Sequence, residues 1–273
     1  MNNKIKLAVA GSVLALSTAA NAGIVIPAGD WTLDVNGNVN AFANWVDADS
    51  TKGGGVSAAE GGLAAAKDTL GEGNSQGINT GLLPSWLGFT GTTRQNDVDV
   101  SFTISFQPNA SDNTAPYHGD SKTPLNRQAF VTFGDKSWGT VKLGKDLGIF
   151  AGQAILNDMT LLGVGAGASG RSGGATTLGG IGTGYIYPAW KGQISYTTPN
   201  MNGFSASIGI MNPNNIPDGV TTGTAQTIAN INQDRFGIEG QVMYEFTGDV
   251  SGKVWASGAS YDVNIDASGG TDA

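Results

Sequence analysis

The stretch 31–45 decides the fold class of this chain, and it reads WTLDVNGNVNAFANW. Its odd positions are apolar or small throughout, whereas its even positions are polar except for Phe42. Successive side chains of a β-strand point to opposite sides, so this alternation predicts one strand with one face in an apolar medium.

The length of this strand and its two tryptophans predict where it lies. Fourteen steps of about 3.3 Å, tilted by about 45°, project to roughly 33 Å. A transmembrane β-strand crosses an apolar band of about 25 Å and carries aromatic residues at both edges. Trp31 and Trp45 stand at the two ends and are predicted to belong to the two aromatic girdles. A strand of a soluble sheet would explain the alternation but not this length.

The same alternation recurs in eight further stretches, so that nine strands are predicted. These stretches are 86–92, 98–107, 127–134, 140–147, 190–197, 204–211, 236–246 and 253–265. Their polar rows are the candidates for a water-filled lumen. The candidate pore-lining residues from the first and third strands are Asp34, Asn36, Asn38, Asn40, Asn44 and Asp99.

The connections between these strands alternate between long and short. The long ones are 47–83, 108–126, 148–184 and 212–234, and the short ones are 94–97, 135–139, 199–203 and 247–249. Bacterial outer-membrane barrels have short periplasmic turns and long external loops, whereas a soluble meander has no reason to follow that rule. The prediction is an all-β fold, a transmembrane antiparallel β-barrel in contact with outer-membrane lipid.

The first 22 residues have the pattern of a cleaved secretory signal peptide. Lys4 and Lys6 precede the apolar stretch 7–19, and Ala20-Asn21-Ala22 offers a cleavage site. Beyond residue 22 there is no apolar run of the about 18 residues that a transmembrane helix needs. We therefore expect export to the Gram-negative outer membrane, with a barrel domain over 23–273. A single-chain bacterial barrel has an even number of strands, so nine strands predict a C-terminally incomplete domain.

Composition and isolated motifs point away from enzymes and nucleic-acid binding. The chain has no cysteine and a net charge of −8, and phosphate backbones need a basic face. The G-x-G-x-x-G match at 165–170 lacks the strand and helix that nucleotide binding requires. Asp262 begins an incomplete calcium-loop pattern, and His118 stands alone in a predicted loop. We expect no cofactor, no metal and no catalysis.

Several segments resemble the trimeric general porins of Gram-negative bacteria. The segment 87–91 (LGFTG) is similar to their second strand. The pair 127–131 (RQAFV) and 138–145 (WGTVKLGK) is similar to a hairpin of that family, and 196–205 (YTTPNMNGFS) looks like one of its turns. These segments follow the order found in the family.

The resemblance implies a 16-stranded barrel, a homotrimer, and passive diffusion of small hydrophilic solutes and ions. It also implies that the third external loop, about 148–182, folds into the lumen, where Asp158 and Arg171 are its candidate charged residues. The resemblance favours Lys145 as a pore-lining residue, whereas alternation with Val141 and Leu143 favours Lys142. The alternative function is a smaller closed outer-membrane barrel with a structural or adhesion role.

Overall fold

The computed structural model describes residues 23–47, 74–80, 85–108, 125–157, 188–212, 231–232, 235–261 and 264–265. Fourteen strands occur in these parts of the chain, and their bounds follow in chain order. They are β1 Ile24–Ala28, β2 Trp31–Asn38, β3 Phe42–Asp47, β4 Asn74–Asn79, β5 Trp86–Gln95, β6 Val98–Gln107, β7 Leu125–Asp135, β8 Gly139–Leu147, β9 Trp190–Thr197, β10 Phe204–Met211, β11 Ile231–Asn232, β12 Gly237–Phe246, β13 Gly252–Ser260 and β14 Asn264–Ile265. One short helix, α1 Gly152–Leu156, follows β8.

Ten of these strands form one antiparallel sheet in the order β1-β2-β5-β6-β7-β8-β9-β10-β12-β13. Strands β3 and β4 form a two-stranded sheet, and β11 pairs with β14 in another. The prediction of an all-β antiparallel fold is confirmed. Among the described residues, no helix has the length and apolar character needed to cross a membrane.

The strand bounds confirm the predicted alternation of long and short connections. The turns after β1, β5, β7, β9 and β12 are short, and antiparallel pairing places them all at one end of the sheet, here called the short-turn end. Asn96 and Asp97 both have positive φ, as does the Asn202-Gly203 pair. Two-residue hairpin turns require this conformation, and Asn, Asp and Gly adopt it at low cost. The opposite end is called the loop end.

The prediction of one strand over 31–45 is wrong in its continuity. Strand β2 ends at Asn38, and β3 begins at Phe42 and pairs with β4. At the interruption, the Asn40 backbone N–H donates to Ser85 Oγ (2.9 Å), and the Thr80 hydroxyl donates to Asn40 Oδ1 (2.8 Å). Side chains therefore satisfy polar groups that a continuous ladder would have paired, so the break is tolerated.

Strand β1 was not predicted because Pro27 lowers the strand signal of 24–28. The strand lies at an edge of the sheet and pairs with β2 alone among the described strands. Proline is compatible with an edge strand, since its missing N–H is not needed for pairing on the open side.

Three other boundaries differ from the sequence prediction. Strand β4 lies inside the stretch 47–83, which was predicted to be a loop. The predicted strand 253–265 is divided into β13 and β14. Helix α1 lies within the predicted loop 148–184 and is followed by residues outside the described ranges.

The two faces of the main sheet differ in chemistry. One face, here called the apolar face, carries large side chains that are exposed on every strand from β6 to β13. Ile194, Ile208 and Val242, for example, are 50%, 58% and 59% exposed. In water, an apolar surface of this extent is unfavourable, so the face is suited to lipid. The buried hydrophobic residues of the described ranges are Ala151, Ile155 and Met211.

Candidate functional site

The opposite face of the sheet, here called the polar face, is the candidate functional surface. Residues that pair across neighbouring strands share a face, and the registers follow one polar row from β2 to β13. Its charged and amide residues include Asp34, Asn36, Asn38, Arg94, Asp99, Gln107, Gln128, Lys142, Asp146, Lys191, Gln193, Glu239, Gln241, Glu245 and Lys253.

The register decides between the two lysines of β8. Lys142 is paired with Thr132 and Ser195, which belong to the polar row. Lys145 is paired with Ala129 and Gly192 on the apolar face, near the loop end. This placement corrects the expectation that Lys145 lines the lumen, because no bulge between the two lysines changes the alternation of β8.

The three polar residues predicted in the first part of the stretch 31–45 lie together on the polar face. Asn36 Nδ2 donates to Asp34 Oδ1 (2.5 Å), and Trp86 Nε1 donates to Asn36 Oδ1 (3.4 Å). Asn38 is opposite Trp86 at the end of β2. These contacts hold the amide and carboxylate groups of β2 in place along the wall.

Asn40 and Asn44 differ from these three residues. Asn40 lies in the interruption after β2, where its side chain accepts from Thr80 and so holds the break together. Asn44 belongs to β3 and is opposite Gly77 of β4, outside the main sheet. Their assignment to the lumen wall stays a prediction.

An ion cluster lies on the polar face at the short-turn end. Arg94 donates to Asp99 (2.7 Å) and to Asp135 (2.9 Å), so one guanidinium joins β5, β6 and β7. A concave space of about 860 Å³ opens beside this cluster, lined also by Asp30 and Asn200. Asp99, predicted from alternation alone, therefore lies on the polar face and is ion-paired with Arg94.

Hydroxyl pairs and a second ion pair continue across the middle of the polar face. Thr90 and Thr103 share a hydrogen bond of 3.1 Å, and Ser101 and Thr132 share one of 2.5 Å. Lys142 is ion-paired with Asp146, which also accepts from Gln128 Nε2 (3.1 Å). The polar groups of this wall are ordered by one another, which limits their motion.

The segment 148–157, here called the inward segment, lies against the polar face. The Phe150 backbone N–H donates to Glu239 Oε2 of β12 (2.8 Å), and Lys253 Nζ of β13 donates to Gln153 Oε1 (2.8 Å). These strands are three and four places from β8 in the sheet. At about 4.8 Å per strand, the segment extends roughly 14 to 19 Å across the sheet.

Glu239 is the centre of a buried cluster on this face. Lys191 Nζ and the Tyr261 hydroxyl both donate to Glu239 Oε1, and Lys191 also donates to the Tyr261 oxygen (2.6 Å). The Glu239 and Lys191 side chains are 0% and 6% exposed. Burial raises the pKa of Tyr261, which follows the last residue of β13, and its contact with Glu239 raises it further. We call Lys191, Glu239 and Tyr261 the Glu239 cluster.

The Glu239 cluster was not singled out in the sequence. Lys191 and Glu239 belong to polar rows that alternation identifies, so their face was predictable. Their pairing was not, because the two residues are 48 positions apart and β10 lies between their strands.

Aromatic side chains gather on the apolar face near the short-turn end. Trp31 is the first residue of β2 and packs against Phe102, with ring centres 5.8 Å apart. Phe204 stacks on Tyr244 at 4.3 Å. These positions are those of an aromatic girdle. Trp45 belongs to β3 and is opposite Gln76, so the girdle role of the two tryptophans stays a prediction.

Other predicted features fall outside the described residues. These are the signal peptide over residues 1–22 and the two candidate loop charges, Asp158 and Arg171. Within the described ranges, no group of three or more His, Cys, Asp or Glu side chains is arranged to hold a metal ion.

Comparison with known proteins identifies the family of this two-faced sheet. A family model described as Gram-negative porin matches residues 7–273. The chain belongs to the Gram-negative porin family, and it is therefore an outer-membrane protein.

One solved structure to which the chain is similar is Salmonella typhi OmpF in complex with daunomycin. The TM-score is 0.46 and the sequence identity is 16%. The match covers 86% of this chain and 56% of the OmpF chain, so the chain spans little more than half the length of that protein. No curated protein sequence matches the chain.

Proposed function

We propose that this chain forms the wall of a water-filled outer-membrane channel through which small hydrophilic solutes and ions diffuse passively. The observation that carries the proposal is the contrast between the faces of one sheet. Exposed apolar side chains cover one face, and hydrogen-bonded polar groups with the inward segment cover the other. Only a wall between lipid and water needs both faces.

The mechanism of such a channel is size exclusion combined with the field of its polar wall, without a chemical step. The proposed pore-lining residues are Asp34, Asn36, Asn38, Asp99 and Lys142, with Lys142 in place of Lys145. Asn40 and Asn44 are proposed to lie nearer the external mouth. The inward segment is proposed to begin the constriction, with Asp158 and Arg171 further along the same loop.

The assembled protein is proposed to be a closed barrel that associates as a homotrimer in outer-membrane lipid. The family consists of channel proteins, which supports a channel rather than an enzyme. The negative net charge of the chain gives no basis for binding nucleic acid.

Planar-bilayer conductance tests the proposal. The purified protein should insert in discrete conductance steps, and the reversal potential under a salt gradient should report the sign of the preferred ion. Protein that is folded in detergent and inserts into liposomes but gives no conductance steps would refute the channel and favour the closed structural barrel.

A further inference from the structure

The inward segment has few attachments among the described residues, and they are of unequal strength. Gln153 is held by the exposed end of one lysine side chain, Lys253. Phe150 is held at its backbone by Glu239, whose carboxylate is fully buried. A backbone N–H bonded to a buried carboxylate fixes the path of the chain itself, whereas the Gln153 contact fixes only a side chain.

The other members of the cluster hold the Glu239 carboxylate in position. Oε1 accepts from Lys191 and Tyr261, which leaves Oε2 directed at Phe150. Lys191 comes from β9 and Tyr261 follows β13, so strands on both sides of β12 contribute. Because a carboxylate with its charge balanced and one oxygen occupied has little freedom, the remaining oxygen becomes a rigid acceptor.

The start of the inward segment is also shaped to approach this cluster. A Cβ at Gly148 would lie 2.5 Å from the Pro188 carbonyl oxygen, 3.1 Å from Glu239 Oε2 and 3.2 Å from Lys191 Nζ. Only glycine allows the backbone to pass this close. Ala151, Ile155 and Met211 are buried, which indicates that the segment is packed rather than suspended in solvent.

We propose that the Glu239 cluster anchors the inward segment across the polar face and thereby sets the width of the channel. The inference rests on the proposed channel function and assigns the width to three wall residues outside the loop itself. Loss of the anchor releases Phe150, and the segment moves away from the middle of the lumen. Larger solutes then pass.

Two substitutions test the anchor, with one matched control. Glu239→Gln removes the charge that Lys191 balances and weakens the hold on Phe150. Tyr261→Phe removes one hydroxyl and keeps both charges, so it disturbs folding less. Glu245→Gln is the control, because Glu245 lies on the same strand and the same face, is exposed, and is six residues from Glu239.

The measurement is the largest neutral polyethylene glycol that enters the channel, judged by its effect on single-channel conductance. Neutral polymers report width independently of wall charge. We expect Glu239→Gln to admit polymers of about twice the mass that the wild type admits, Tyr261→Phe to shift the limit in the same direction by less, and Glu245→Gln to leave it unchanged.

Amide hydrogen exchange in detergent micelles provides a second reading. Phe150 should exchange at least tenfold faster in Glu239→Gln than in the wild type, and at the wild-type rate in Glu245→Gln. A conducting wild type with the same polymer limit in Tyr261→Phe and every folded Glu239 variant would overturn the anchor but leave the channel standing. A wild type that never conducts would refute the channel, and the proposed control of width with it.

Discussion

At the scale of single residues, the central feature is a charge that is buried together with its counter-charge. Lys191 and Glu239 are both almost inaccessible, and each ion would be costly to desolvate without the other. The Arg94 pairs with Asp99 and Asp135 are more exposed and are therefore weakened by solvent. The buried pair is thus the polar contact whose loss the protein tolerates least.

Replacing Lys191 by methionine should destabilise the folded protein by about 3–5 kcal/mol, because it leaves the Glu239 charge buried without its cation. The free energy of unfolding would be measured by urea denaturation in phospholipid vesicles. Lys136→Met is the control, since Lys136 is exposed in the turn after β7, and it should change stability by no more than about 0.5 kcal/mol. Equal losses for both variants would contradict the role given to the buried pair.

At the scale of the strands, alternation was a reliable guide to faces and a poorer guide to ends. The parity of β8 put Lys142 with polar neighbours and Lys145 with apolar ones, and the register agrees. The resemblance to a family motif favoured Lys145, because motif similarity does not carry strand register. The break after Asn38 could not be seen in the pattern, since its hydrogen-bond partners, Thr80 and Ser85, are about 40 residues away.

Single cysteines in β8 should distinguish its two faces, because the native chain has no cysteine. In lipid vesicles, Lys142→Cys should react with a charged, water-soluble maleimide at least tenfold faster than Leu143→Cys. The two residues are neighbours on opposite faces, so they form a matched pair. Because a one-residue register shift exchanges the faces, faster labelling of Leu143→Cys would show that the register is wrong.

At the scale of the whole molecule, the connections give the sheet a direction. Every described short turn of the main sheet lies at one end, and the long connections lie at the other. In outer-membrane proteins the short turns face the periplasm. The Arg94 ion cluster and the concave space beside it are then at the periplasmic mouth, and the inward segment enters from the external side.

Epitope tags should report this direction in intact cells. A tag inserted after Gly248, in the turn between β12 and β13, should bind antibody only after the outer membrane is permeabilised. A tag placed in 109–124, between β6 and β7, should bind antibody without that treatment. The untagged protein and immunoblots of both variants control for expression and background. Surface labelling at Gly248 would reverse the orientation.

The amino-acid sequence by itself determined the class of fold, the two faces of its strands and the rhythm of its connections. These follow from local rules, since a period of two and a short turn such as Asn202-Gly203 are properties of neighbouring residues. Only the tertiary structure decided the break in the stretch 31–45, the edge strand β1 and the Glu239 cluster. Each of these depends on how strands are placed side by side, and residues distant in the chain supply the partners that make the arrangement stable.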